Sequence, residues 1–173
     1  MSEQRVLFDV AGPILVPCLE GAAGKHIGPP EGRKFFEENP ALAKAKGCYV
    51  FGVRAGKGIT PVYVGRATKS FGQECFTLHK LEKYNRGLLD YVKGTPVIFL
   101  VVLRIRKGAT NLKAISELEY YLIQIAFNRN ENLLNERRVN RPVWGIPGVV
   151  RGGKGKPSRD AGSFVRAMGL LAD

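Results

Sequence analysis

The chain is poor in the residues that build small metal and disulfide sites. Its 173 residues include 3 cysteines and 2 histidines. Cys18, Cys48 and Cys75 lie far apart, with only His26 and His79 to assist, and no CxxC pair occurs. Neither a zinc site nor a disulfide framework is expected from that pattern. Acidic residues are also scarce: 15 Asp and Glu stand against 27 Lys and Arg, a net charge of +12. Such a surface concentrates polyanions, which puts nucleic acid first among the expected partners. Long apolar runs are missing as well. The stretch from Val10 to Leu19 is broken by Gly12, Pro13 and Pro17 and is too short to span a bilayer. Met1 to Val10 has no basic segment leading into an apolar one, so a cytoplasmic protein without a membrane partner is expected.

What is present suits one compact domain. Apolar residues make up 45% of the chain and charged residues 24%, an ordinary balance for a folded protein. Residues 1–46 read as a Gly- and Pro-rich N-terminal extension with a short strand at Ile14 to Val16. A small helix in it has Asn39 as cap, Pro40 as first residue and Gly47 as stop. The clearest unit follows at 47–138. Cys48 to Val53 and Pro61 to Gly65 are β-prone runs joined by the Gly-rich Arg54 to Gly58, the pattern of an antiparallel hairpin. A helix is expected over Gln73 to Val92, with Leu78, Leu81, Leu88, Leu89 and Val92 on its apolar side. Val97 to Ile105 reads as a strand buried on both faces. Thr110 or Asn111 then caps a helix running to about Phe127. The order is β-β-α-β-α, an α+β fold with a small three-stranded, mainly antiparallel sheet flanked by helices. Residues 139–173 form a basic, Gly-rich C-terminal extension. It reads as a mobile loop or linker, or as an arm whose Arg151, Lys154 and Lys156 track a phosphate backbone, and a last short helix is expected from Ala161 to Leu171.

The second helix of the core holds the most informative residue. Advancing about 100° per residue from Leu112 puts Glu119 at about 340°, among Ile115, Leu122, Ile123 and Ala126. Glu117 falls at about 140°, where a solvated carboxylate belongs. A carboxylate on an apolar stripe needs a metal, a cationic partner or a route to water. These three alternatives are open on periodicity alone.

Gly47-Cys48-Tyr49, followed after a Gly-rich turn by Tyr63-Val64-Gly65, resembles the paired signatures of the GIY-YIG nuclease superfamily. Glu119 with Leu122 and Ile123 is similar to that family's Glu-x-x-Leu-Ile pattern, and Leu133-Leu134-Asn135 to the Leu-Asn that closes its module. The likeness covers residues 46 to 138. It implies a metal-dependent endonuclease acting on DNA, with Tyr49 and Tyr63 in a shared site. Glu119 would be the sole protein ligand of Mg²⁺ or Mn²⁺, and Asn135 would support the site or the phosphate. A single carboxylate suits Mg²⁺, which keeps most of its water. Tyr49 is the expected base and Tyr63 its partner, the phenol needing nearby cations to act at neutral pH.

One feature of that family is absent. The helix after its second signature carries an arginine for the scissile phosphate, and the matching stretch here runs near Glu74 and Cys75. Arg66, Lys69, His79 and Lys80 are the candidate replacements. The alternative is a non-catalytic nucleic-acid-binding protein on the same fold, or a nuclease for RNA or for branched or damaged DNA. Arg104, Arg106 and Lys107 after the central strand, and Arg137, Arg138 and Arg141 after Asn135, would add salt-dependent affinity for a nucleic-acid backbone.

Overall fold

A computed structural model describes residues 6–105, 108–139 and 142–170. It divides into two units, Met1–Val139 and Asn140–Asp173. The fold is α+β. The first unit is built on a four-stranded antiparallel sheet in the order β1-β6-β4-β5, with β1 Phe8–Leu15, β4 Gly47–Ala55, β5 Gly58–Ala67 and β6 Thr95–Leu103. β2 Leu19–Gly21 and β3 Gly24–His26 form a separate hairpin. The sheet therefore has one strand more than the three expected. The short strand expected at Ile14 to Val16 is the end of β1, and the part before it escapes recognition because Gly12 and Pro13 interrupt the alternation. A register shift between Ala11 and Ile14 absorbs them, which an edge strand tolerates.

β4 and β5 are longer than expected and close on the two residues Gly56 and Lys57, since Ala55 pairs with Gly58. Gly56 takes a φ of 59°, as tight hairpin turns require. Tyr49 lies opposite Gly65 and Phe51 opposite Tyr63. The pleat sends Tyr49, Phe51 and Tyr63 to one face of the sheet and Cys48, Val50 and Val64 to the other. The first face packs against α1 Pro29–Glu38, α3 Phe71–Glu74 and α4 Leu78–Asp90, with Phe35, Phe71, Leu81, Tyr84 and Leu88 in one core. The second packs against α5 Leu112–Arg129 through Ile115, Ile123, Ala126 and Phe127.

Several expected elements shift. The single helix over 73–92 is two, α3 and α4, broken before Thr77. Leu78, Leu89 and Val92 are exposed, and the buried face runs through Leu81, Tyr84, Gly87 and Leu88. Tyr84 sets that phase: its ring stacks on Phe51 at 4.2 Å and its hydroxyl donates to the Cys75 carbonyl at 2.7 Å. Asn39 does not cap α2 Pro40–Ala43 with its side chain; its amide donates back to the Phe35 carbonyl and closes α1. α1 itself was not expected. Its signal is Pro29 and Pro30 ahead of Glu31, whose carboxylate accepts from the Gly28 N–H at 2.8 Å. Asn111 does cap α5, accepting from the Ala114 N–H at 2.9 Å. In the second unit α6 spans Arg159–Ala167, capped by Ser158. No helix among the described residues is long and apolar enough to cross a membrane.

Gly47 opens β4 with a φ of 148°, and a Cβ there would run into the Val101 carbonyl oxygen on β6. Backbone cannot retreat from a methyl as a flexible side chain does. Gly47→Ala should cost about 2–4 kcal/mol of unfolding free energy, read from the urea midpoint.

Candidate active site

The phase predicted for α5 holds. Glu119 is sheltered, with its side chain 15% exposed, and Glu117 stands in solvent paired with Lys113 at 3.8 Å. Leu112, the reference of that stripe, is itself exposed. Glu119 meets cations: its Oε2 accepts from Arg138 Nη1 at 3.1 Å and lies 3.6 Å from Arg66 Nε. Ser116, one turn earlier on α5, ties the two arginines together. Its Oγ accepts from Arg66 Nη1 and from Arg138 Nη1, each at 2.9 Å. The cluster of two guanidiniums and one carboxylate leaves a net positive charge. No hydrogen bond or ion pair among the described residues engages Oε1 of Glu119. Buried Cys48, whose thiol donates to the Ile115 carbonyl, is pushed up to about 12, first by burial and then by the Glu119 charge.

The tyrosines lie on the opposite face of the sheet. Tyr49 is 0% exposed and its ring ends over Gly65, where any Cβ would strike it. Its hydroxyl is buried with no hydrogen-bond partner, and burial holds the phenol well above its usual pKa. That setting favours Tyr63 over Tyr49 as the base. Tyr63 is better placed. Its hydroxyl accepts from Lys80 Nζ at 2.8 Å, and the same ammonium sits 4.9 Å from its ring centre. No hydrogen bond or ion pair among the described residues joins this tyrosine–lysine pair to the Glu119 cluster.

The two groups are connected around the free edge of β5. Residues 130–135 run beside that edge as a fifth strand would. Asn130 donates to the Pro61 carbonyl at 2.7 Å and the Leu134 N–H to the Val62 carbonyl at 2.9 Å. Asn135 then accepts from the Val64 N–H at 2.9 Å and donates to its carbonyl at 2.7 Å. Both ends of its amide are bonded to the Val64 backbone, which fixes β5 beside the site. Just past it, Glu136 pairs with Lys83 of α4 on the tyrosine face. The Glu136 carboxyl is held below the usual carboxylate range by that hydrogen bond, then by the charges of Lys83, His79 and Arg86. Arg138 turns the other way, onto Glu119. It does so with a φ of 62°, its carbonyl held by Gln124 Nε2 at 2.7 Å.

The other expected residues are spread out. Glu74, where the family arginine would fall, accepts from the Lys69 N–H at 2.6 Å, and Cys75 is fully buried. Lys69 and His79 are exposed. Arg104 pairs with Asp9, with contacts of 2.5 and 2.6 Å. Arg137 is exposed, while Arg106, Lys107 and Arg141 lie outside the described residues. Arg151, Lys154 and Lys156 belong to the second unit. Ser116, Lys83 and Glu136 were missed. Ser116 carries a signal, lying three residues before Glu119 on the same face.

The donor set around Glu119 is one carboxylate beside two guanidiniums. It offers one unengaged carboxylate oxygen and no imidazole, and no cluster of three or more His, Cys, Asp or Glu occurs among the described residues. No family model, curated protein or solved structure matches the chain, so the GIY-YIG resemblance rests on the motif residues themselves.

Asn135→Ala orphans two groups of Val64, a fully buried residue, and should cost about 2 kcal/mol or more in chemical denaturation. Asn135→Asp keeps the acceptor and loses the donor, so it should also destabilise; a neutral effect would show that the edge is held by other bonds.

Proposed function

We propose that the chain is a divalent-metal-dependent endonuclease that hydrolyses phosphodiester bonds in DNA, working in the cytoplasm. The observation that supports this most is the composition of the Glu119 cluster. A structural ion pair is satisfied by one cation. Here one sheltered carboxylate is shared by Arg66 and Arg138, and the surplus positive charge suits a phosphate. Glu119 Oε1 would hold Mg²⁺ or Mn²⁺. When bound, that ion supplies charge neutralisation at the phosphate and at the leaving oxygen. Arg66 and Arg138 take the place of the missing family arginine, with the planar donor fork that Lys69 and Lys80 lack. Tyr63 is the base of choice. To take the proton of the attacking water it must act as the phenolate, whose charge the Lys80 ammonium at its oxygen would offset. Arg86, exposed on the same helix as Lys80, adds a further cation.

A second reading is a non-catalytic nucleic-acid-binding protein. The sealed hydroxyl of Tyr49 and the buried thiol of Cys75 favour it, because both stand where the family places chemistry.

A supercoiled-plasmid nicking assay in Mg²⁺, Mn²⁺ or EDTA separates the readings. The nuclease should nick only with metal, and Glu119→Gln should lose nicking while binding DNA at least as tightly. Glu117→Ala should nick like the wild type. Salt-sensitive DNA binding with no cleavage of plasmid, branched DNA or RNA would favour the binding protein.

The tyrosines give an independent test. Tyr63→Phe should slow nicking by about 10²–10⁴-fold, the usual worth of a general base. Tyr49→Phe should slow it less than about tenfold and leave stability unchanged or raised, since the hydroxyl it removes is buried without a partner. A larger loss for Tyr49→Phe would return the base role to Tyr49.

A further inference from the structure

The second unit holds a feature that the nuclease reading does not use. Trp144 is the only tryptophan of the chain, and it is 58% exposed. Its neighbour Val143 is fully exposed. Leaving a large ring in water contributes little to folding, so packing does not account for this position.

The ring is nevertheless held in place. The Arg151 guanidinium lies over it, 4.2 Å from the ring centre, and Arg151 Nε donates to the Trp144 carbonyl at 3.2 Å. The connection between them is a tight turn in which Ile146 and Val150 exchange backbone hydrogen bonds of 2.8 and 3.0 Å. Two glycines permit it: a Cβ at Gly145 would strike the Arg151 carbonyl, and one at Gly152 would strike Pro147. Directly after this turn come Lys154 and Lys156, both exposed. Between residues 142 and 170 the basic side chains are Arg151, Lys154, Lys156, Arg159 and Arg166, and the acidic one is Asp160.

We infer that Trp144 is a stacking platform for an unpaired base, with Arg151, Lys154 and Lys156 holding the flanking phosphates of a single-stranded nucleic acid. An aromatic ring beside cations is the arrangement that binds single strands without reading sequence, because every base has a π-face. Arg151 covers part of the ring with a planar cation that serves both base and phosphate. A duplex offers the same phosphates and keeps its bases stacked inside, so it gains only the charge. An anionic lipid surface would also attract the cations. It is disfavoured because the guanidinium lies on the ring that would have to enter the apolar layer. The inference stands apart from the nuclease reading, since it needs neither metal nor Glu119.

The single tryptophan makes the test direct. The full chain is titrated in EDTA with labelled single strands of about ten nucleotides, oligothymidylate and oligouridylate, and with a duplex of equal length. Trp144 emission is followed alongside anisotropy of the probe. Saturable quenching by the single strands and much weaker quenching by the duplex are expected. The tighter of the two strands then identifies DNA or RNA as the source of the base. Trp144→Ala should weaken single-strand binding by about tenfold or more, and Trp144→Phe, which keeps a ring, by about threefold or less. Circular dichroism checks that both variants fold. Binding without quenching, equal quenching by duplex, or equal loss in the Phe and Ala variants would overturn the proposal. So would emission that shifts only with phosphatidylserine vesicles, which would assign the patch to a lipid surface. Quenching in EDTA with no cleavage in metal would sink the nuclease reading alone, and cleavage without quenching would sink this one alone.

Discussion

Asn135 is a side chain doing the work of a β-strand. Its amide offers one acceptor and one donor at the spacing a neighbouring strand would offer, and Val64 uses both. An unpaired edge at β5 would be an open template for other chains and a loose support for the site. With Asn130, Leu134 and Asn135 bonded along it, the edge is sealed and the following residues leave it in a fixed direction. Both Glu136 and Arg138 depend on that direction. The first reaches Lys83 across the tyrosine face and the second reaches Glu119 across the α5 face. A site whose parts stand on two sides of a sheet is thereby connected through one segment of about nine residues.

The pairing of Tyr49 with Gly65 is the second constraint. A ring that crosses to its neighbour strand needs a residue without Cβ beneath it, and β5 supplies one. The consequence is chemical as well as steric. Buried in this way, Tyr49 cannot exchange its proton easily, whereas Tyr63 two residues before Gly65 keeps its hydroxyl on the Lys80 ammonium. Gly65 thus fixes where the Tyr49 ring lies, while the Tyr63 hydroxyl meets the Lys80 ammonium.

The fold was legible where pattern and chemistry coincide. The hairpin around Tyr49 and Tyr63, the central strand and the helix of Glu119 all follow from period and cap residues, and the contrast between Glu119 and Glu117 follows from phase alone. What was not legible depends on partners distant in sequence. β1 is a strand because β6 offers it an edge, and its own residues break the alternation at Gly12 and Pro13. α4 turns its buried face by the demand of Tyr84 for Phe51, which hydropathy does not register since tyrosine scores as partly polar. The seal of Asn135 on Val64 spans 71 residues, and Arg138 reaches Glu119 across 19. No local window contains such pairs, so neither the backbone partner of Asn135 nor the carboxylate partner of Arg138 could be read from the sequence.

The charge balance shows why composition points to a partner and still misplaces the contacts. A net +12 states that cations exceed anions; it does not state which cations are free. Arg104 looks like a backbone contact in the sequence but is bound to Asp9 through both arms of its fork. Screening by solvent makes exposed pairs of this kind worth little to stability, and it does not return their charge to a ligand at close range. The Glu119 cluster differs in being unbalanced inside a sheltered place. Two guanidiniums there compete for one oxygen while its sister oxygen has no described partner, so a phosphate could draw an arginine away without leaving the carboxylate bare. That asymmetry, more than the total charge, distinguishes a site from a basic surface.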